Sequence, residues 1–169
     1  FIVAYDDHHL YKFNTETSQM LDSIYYEKDV YSCVASNDGL IYYTSIEDEI
    51  LLYDVNTMEV IDTIPSPEIS SEAPNNSISA GISNLGISET YKLLTFRYAE
   101  SFDNQYRHYE FIVHDLEQRK IIARVGDNER NYRSQFYNPT FTPNAETLLV
   151  VVERPENNFQ ESETQLWFY

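Results

Sequence analysis

The sequence repeats itself, and this repeat limits the possible folds more than any other feature. Residues 13–24 match residues 53–64, 40 residues later, in residue type at every compared position, and three residues are identical in the two copies. A third copy starts at His114, and a fourth begins at Leu166. A period near 40 residues is typical of arrays in which each repeat is one small structural unit.

The repeats are composed of short predicted strands. Runs of Ile, Val, Leu, Tyr, Phe and Thr are separated by residues that favour turns, and no window sustains an apolar pattern of helical period. The predicted strands are residues 1–5, 10–14, 20–25, 31–36, 40–45, 50–55, 60–64, 78–82, 93–98, 109–114, 120–125, 139–141, 147–153 and 164–168. Strands at this short spacing predict an all-β domain.

Four strands form one unit, because two further strands precede each later copy of the repeated segment. Four antiparallel strands over about 40 residues is the size of one β-propeller blade. The middle strands of a blade are covered by neighbouring blades, which explains continuous apolar runs such as residues 147–152. The outer strand is an edge, and apolar and polar residues alternate along residues 59–64.

The ends of the third strands resemble those of WD40-type β-propellers. The position where that family has Trp-Asp is filled by Phe13-Asn14, Tyr53-Asp54, His114-Asp115 and, more loosely, Trp167-Phe168. Residues 141–149 are similar to the Phe-Ser-Pro-Asp-Gly segment that leads into the second strand of the family's blades, whereas the family's Gly-His dipeptide is absent. The resemblance implies four-stranded antiparallel blades and a surface that binds other proteins.

The phase of the repeat predicts how blades divide the chain. The chain begins with the second, third and fourth strands of a blade, continues through two whole blades and ends in a third strand. The predicted blade parts are residues 1–25, 31–64, 78–125 and 136–169. WD40-like rings usually have seven blades, so we expect residues 1–169 to form a single segment of an incomplete ring, about three and a half blades of a longer propeller.

Charge narrows the range of partners. The chain has 28 acidic and 11 basic residues among 169, a formal net charge of −17. Binding along a phosphate backbone needs clustered Lys and Arg, so we expect no direct contact with nucleic acid. No apolar run approaches the roughly 20 residues that span a bilayer, so we expect no membrane insertion. An acidic surface instead attracts a basic protein partner or the basic part of a multi-subunit complex.

No catalytic motif is found in the sequence. A nucleophile elbow, a Walker loop and a dinucleotide fingerprint are all absent, and 4 glycines leave little for a phosphate-binding loop. Residues 6–9, Asp-Asp-His-His, could bind a metal, but no second ligand pair follows at a suitable spacing, which favours a polar hairpin turn. We expect no enzymatic activity, no cofactor and no metal.

The single cysteine, Cys33, lies in an apolar stretch and is predicted to be a small buried hydrophobic residue. With one cysteine the chain cannot form an internal disulfide, which fits a reducing compartment. We therefore expect an intracellular protein, cytoplasmic or nuclear.

Candidate binding residues lie in the long predicted connections. Tyr and Arg are enriched at the anchors of protein interfaces, although ordinary surface residues are the simpler interpretation. The candidates are Tyr106, Arg107, Arg130, Tyr132 and Arg133. In the Pro-, Ser- and Glu-rich connection 65–77, Ser66 precedes Pro67 and is a candidate site of proline-directed phosphorylation, with a plain solvated loop as the alternative.

Three functions are compatible with these observations. The first is a non-catalytic interaction scaffold within a larger complex, favoured by the repeat, the charge and the lack of a catalytic motif. The second is a propeller domain that accompanies a hydrolase or redox enzyme whose active site lies outside these residues. The third is a structural subunit of a coat, pore or ligase assembly. Because a fold does not determine a function, the preference for the scaffold rests partly on analogy.

Overall fold

A computed structural model confirms the all-β prediction. It describes residues 2–36, 41–46, 49–68, 77–88, 90, 92–102, 106–126, 135–141, 148–155 and 162–168, and within these residues there are strands and turns but no helix. The strands are β1 (Ile2–Tyr5), β2 (His9–Phe13), β3 (Met20–Tyr25), β4 (Val30–Ala35), β5 (Ile41–Ile46), β6 (Glu49–Asp54), β7 (Glu59–Pro65), β8 (Ser77–Ser88), β9 (Leu93–Phe102), β10 (Tyr106–Asp115), β11 (Lys120–Gly126), β12 (Gln135–Phe141), β13 (Leu148–Pro155) and β14 (Ser162–Phe168).

The strands form antiparallel sheets in which chain neighbours are also spatial neighbours. The strand orders are β1-β2-β3, β4-β5-β6-β7, β8-β9-β10-β11 and β12-β13-β14. The chain divides into two compact units, Phe1–Ser66 and Pro67–Tyr169, so each unit contains one three-stranded and one four-stranded sheet. Such meandering sheets of three or four strands are the units from which propellers are built.

In the first unit, the core lies between its two sheets. Leu10 of β2 packs in one cluster with Tyr53 of β6 and with Val55 and Met58 of the turn that follows, and all four side chains are buried. The Lys12 ammonium donates a hydrogen bond of 2.6 Å to the Val55 carbonyl oxygen, again from one sheet to the other. Apolar burial and this charge-assisted hydrogen bond therefore both help to hold the two sheets together.

In the second unit, β9 and β10 are buried on both faces, as predicted for the middle strands of a blade. One face of β9 carries the fully buried side chains Leu94, Phe96, Tyr98 and Glu100. The register pairs Ile112 of β10 with Phe96, which places Ile112 on that same face. On the opposite face, Phe111 and Val113 pack against Val125 of β11.

The outer strands are more exposed than the alternating pattern of the sequence suggests. In β7, the side chains of Glu59, Val60 and Ile61 are all exposed, and Ile64 is the buried one. Leu21 in β3 and Ile122 in β11 occupy the position of Ile61 in their own repeats, and about half of each side chain is exposed. The outer strands therefore keep apolar side chains in contact with solvent.

Two connections differ from the prediction. Residues 99–107 lie in the connection between the predicted strands 93–98 and 109–114, but β9 continues to Phe102 and β10 begins at Tyr106, so most of this segment is paired strand. The strand predicted at residues 78–82 is β8 and extends to Ser88, with a break in register between Ser83 and Gly86. Both segments are rich in polar residues, and backbone pairing across the sheet overrides their weak strand propensity.

Candidate interaction surface

The predicted anchors do not form a single described site. Tyr106 and Arg107 lie in β10, paired with Phe102 and Ser101 of β9, so their predicted place in a loop was wrong. The other three lie outside the described residues: Arg130, Tyr132 and Arg133. A role for any of the five in binding stays a prediction.

Ser66 lies directly after β7 and is half-buried, while Pro67 is buried and Glu68 is exposed. The rest of the connection, residues 69–76, is outside the described part of the chain. Phosphorylation of Ser66 stays a prediction.

The Asp of the Trp-Asp position caps a tight turn. Asp54 Oδ1 accepts hydrogen bonds from the backbone N–H groups of Asn56 at 2.7 Å and Thr57 at 3.2 Å. In the two related hairpins, the bonds run from the N–H groups of Glu16 and Thr17 to Asn14 Oδ1 and from the N–H of Gln118 to Asp115 Oδ1. Asn and Asp commonly close turns in this way.

The three hairpins share two further backbone features. Each has a break in register just before the capping residue, at Lys12/Phe13, Leu52/Tyr53 and Val113/His114. Four residues after each cap, a residue other than glycine has a positive φ: 58° at Ser18, 56° at Met58 and 54° at Arg119. The sequence repeat therefore corresponds to a repeat of backbone conformation, and the Asn and Asp side chains of this motif have a structural role.

His114 is buried, and its Nδ1 atom has no hydrogen-bond partner among the residues that the structure describes. Burial lowers the pKa of the imidazole, and Arg119 acts in the same direction against the opposing charge of Asp115. His114 is therefore neutral at pH 7. Asp115 is engaged by Gln118 through both carboxylate oxygens, so it belongs to the turn.

Cys33 packs against the core of the first unit. Burial raises the pKa of its thiol to about 11, so the thiolate is scarce at neutral pH. Cys33 is partly buried, so the prediction of a small buried hydrophobic residue is confirmed in part.

The turn between β1 and β2 is organised by Asp6. Its Oδ1 atom accepts hydrogen bonds from the backbone N–H groups of His8 at 2.9 Å and His9 at 2.8 Å and lies 3.1 Å from His9 Nδ1, while Oδ2 accepts a bond of 2.6 Å from the Tyr11 hydroxyl. The Tyr11 bond first, and then the bond from His8, lower the pKa of Asp6. No group of three metal-ligating side chains is found within the described ranges.

Aromatic rings cluster beside this turn. Tyr25, at the end of β3, is paired with His9 in the sheet register and is 63% exposed. Its ring centroid lies 5.2 Å from that of His9 and 6.1 Å from that of His8. His8 Nδ1 in turn lies 3.6 Å from a carboxylate oxygen of Asp29. We name Tyr25, His8, His9 and Asp29 the Tyr25 patch.

The backbone holds the Tyr25 patch in place. The Tyr26 N–H donates to the His8 carbonyl oxygen at 2.8 Å, and the Val30 N–H donates to the Asp7 carbonyl oxygen, also at 2.8 Å. The β1–β2 turn is thereby tied to both ends of the β3–β4 connection. The sequence predicts residues 6–9 as a polar turn but does not single out Tyr25, because a tyrosine at the end of a predicted strand does not indicate which side chains it contacts.

No family model matches the sequence, and no curated protein matches it. Solved structures do match. The WD40 domain of Toxoplasma gondii coronin is 13% identical with a TM-score of 0.57, and the match covers 94% of this chain and 39% of that chain. The fold is that of a β-propeller. Kuenenia stuttgartiensis hydrazine synthase is another similar structure, at 14% identity and a TM-score of 0.52, covering 95% of this chain and 56% of the other.

A third similar structure is the dihydro-heme d1 dehydrogenase NirN in complex with DHE, at 13% identity and a TM-score of 0.55. The match covers 95% of this propeller chain and 32% of NirN. The chain thus spans roughly a third to just over half of the length of these three structures. At this level of identity the likeness extends to the fold alone. Among the described residues of the propeller, no helix is long and apolar enough to cross a membrane.

Proposed function

We propose that this propeller chain is a non-catalytic scaffold that binds a partner protein through a basic segment, within a larger intracellular complex. The observation that carries the proposal is the net charge of −17 on a propeller fold. A negative surface potential accelerates association with basic segments and disfavours acidic ones. The same charge argues against direct binding of nucleic acid or of anionic membranes.

Two further observations support a scaffold. The Asn and Asp residues of the repeated motif are used in turns, as the hydrogen bonds of Asp54 and Asp115 show. The carboxylate of Asp115, next to the buried His114, is engaged by the Gln118 side chain and so belongs to the turn.

Direct binding measurements test this function. Fluorescence anisotropy with short Lys-rich, Arg-rich and Glu-rich peptides, each at low and at physiological salt, compares the affinities. We expect binding of the basic peptides, with an affinity that falls as salt rises, and no binding of the Glu-rich peptide. Failure to bind any basic peptide at low salt would contradict the proposal.

A propeller domain that accompanies an enzyme is the second candidate function. It is favoured by the likeness of the chain to hydrazine synthase and to NirN, two structures that carry the names of enzymes. On this alternative, the chemistry resides in residues outside this chain. Turnover that requires this chain together with an added catalytic domain would support it.

Two of the five predicted anchors, Arg107 and Arg133, can be tested separately from the scaffold function. We expect the double variant Arg107→Ala, Arg133→Ala to bind the partner more weakly if the partner uses the arginines as interface anchors. An unchanged affinity would remove these two residues from the binding surface and leave the scaffold function in place.

A further inference from the structure

The Tyr25 patch combines an exposed aromatic ring with a negative local charge. Tyr25 is the most exposed of the large hydrophobic side chains in the part of the chain whose side chains are described, at 63%. Asp7, Glu27 and Asp29 are exposed around it. Within residues 5–11 and 25–31 there are four acidic residues and one lysine. An exposed aromatic face among carboxylates is favourable for a cation and unfavourable for an anion.

Tyr25 is not exposed merely because no second sheet covers its side of the first sheet. In the repeat, Tyr25 corresponds to Pro65, which ends β7. The sheet containing β7 packs against the first sheet through Tyr53 and Leu10, yet Pro65 remains exposed. The position that corresponds to Tyr25 is therefore left uncovered where the two sheets of the first unit pack.

The patch is also rigid, which reduces the entropy lost on binding. Asp6 accepts bonds from two backbone N–H groups and from the Tyr11 hydroxyl. The His9 ring is stacked on that of Tyr11, with centroids 5.4 Å apart and an interplanar angle of 18°. Both carboxylate oxygens of Asp6 accept hydrogen bonds within the turn, so Asp6 holds the neighbouring rings in place. The Asp29 side chain is 54% exposed, and its carboxylate can face a ligand.

We propose that the Tyr25 patch binds a Lys or Arg side chain of a partner protein, with the cation over the Tyr25 ring and Asp29 providing the opposite charge. This inference rests on the proposed function, for which it names a binding site. An uncharged apolar ligand would bury the surrounding carboxylates without compensation, whereas a cation gains from both the ring and the carboxylates.

The experiment uses a fluorescein-labelled peptide of alternating Lys and Ser and the same peptide with every lysine acetylated, titrated with the chain at low salt. We expect the Lys peptide to bind and Tyr25→Leu to weaken its binding by up to about fivefold, the effect of losing one exposed cation–π contact. Tyr25→Phe keeps the ring and binds within about twofold of the unchanged protein. Leu21→Ala, a change at another exposed position of β3, is the matched control and has no effect.

Each outcome supports or overturns the site. If the unchanged chain binds the Lys peptide and Tyr25→Leu binds it equally well, the Tyr25 patch is wrong and the scaffold function stands. If the acetylated peptide binds as tightly as the Lys peptide, recognition of a cation is wrong. If the chain binds no basic peptide, both the site and the scaffold function fail. Circular dichroism of each variant verifies that its fold is unchanged.

Discussion

The β6–β7 and β10–β11 hairpins have the same backbone and different side chains at the same positions. Both have a register break, a capping Asp and a residue with positive φ. Tyr53 precedes the cap in the first hairpin, is 2% exposed, and meets the ring of Tyr26 edge-on. His114 has that place in the second, is 7% exposed, and its Nδ1 atom has no hydrogen-bond partner among the described residues.

The difference shows which part of the repeat determines structure. The hydrogen bond from the N–H of the third residue after the capping Asp is present in both hairpins, whereas the side chain before the cap changes from a large phenol to an imidazole. The residue with positive φ also differs, because Met58 is buried in a core cluster and Arg119 is exposed. Turn geometry is therefore conserved between the hairpins while their packing varies.

The largest expected difference between the hairpins is at the position before the cap. Tyr53→Ala removes a large buried ring, and we expect it to reduce the free energy of unfolding by about 3–5 kcal/mol, the usual range for large aromatic residues. His114→Ala removes a smaller side chain and is expected to have a smaller effect. Urea denaturation of both variants measures the comparison, and equal losses would show that the two positions contribute alike.

Glycine at the positive-φ position should have opposite effects in the two hairpins. Met58→Gly removes a buried side chain, and we expect a loss of about 2 kcal/mol or more despite the relief of the backbone. Arg119→Gly removes an exposed side chain and relieves the same backbone conformation, so we expect a gain of up to about 1 kcal/mol. Thermal unfolding of the two variants provides the measurement. If the melting temperatures of both variants change in the same direction, the two positions do not differ in packing as described.

The capping residue should have equal effects in both hairpins. We expect Asp54→Ala and Asp115→Ala each to cost about 1 kcal/mol, because the backbone N–H of the third residue after the cap, Thr57 or Gln118, loses its acceptor. Asp54→Asn is the matched control and should be nearly neutral, since Asn14 makes the corresponding bonds at 2.8 and 3.0 Å in the first hairpin. A large cost for Asp54→Asn in chemical denaturation would mean that the negative charge is required.

The smallest expected difference between the hairpins is in how their contribution to stability depends on pH. The pKa of His114 is lowered in the folded state, so below the ordinary value of 6.5 the unfolded chain takes up a proton that the folded chain excludes. Stability is complete above 6.5 and is lost as the pH falls toward the folded-state pKa. We expect melting temperatures measured between pH 7 and about pH 5 to fall less for His114→Gln than for the unchanged chain.

Asp6 is the control for this titration, because its lowered pKa makes stability depend on pH only below its ordinary value of 3.8. Asp6→Asn should therefore leave the slope between pH 7 and about pH 5 unchanged. If His114→Gln does not alter the slope of melting temperature against pH, burial of the neutral imidazole is not the source of the pH dependence.

The sequence predicts the strands and the repeated turns because both depend on local chemistry. Met20–Tyr25 has the bounds predicted from its run of strand-forming residues between turn residues, and the turns after Asn14 and Asp54 follow from side chains that bond their own backbone. The extent of β8 and the pairing of Tyr106 could not be predicted, because they depend on neighbouring strands that supply backbone partners to polar segments. Neither could the Tyr25 patch, which is formed by two connections distant in sequence.

The order of the strands, in which every sheet pairs consecutive segments of the chain, has a consequence for folding kinetics. Among the described strands, each pairing joins consecutive strands of the chain, so the loop-closure entropy of each hairpin is small. Each hairpin can therefore form without waiting for later strands. We therefore expect each sheet to form soon after its last strand leaves the ribosome, which shortens the time during which its unpaired edges can aggregate.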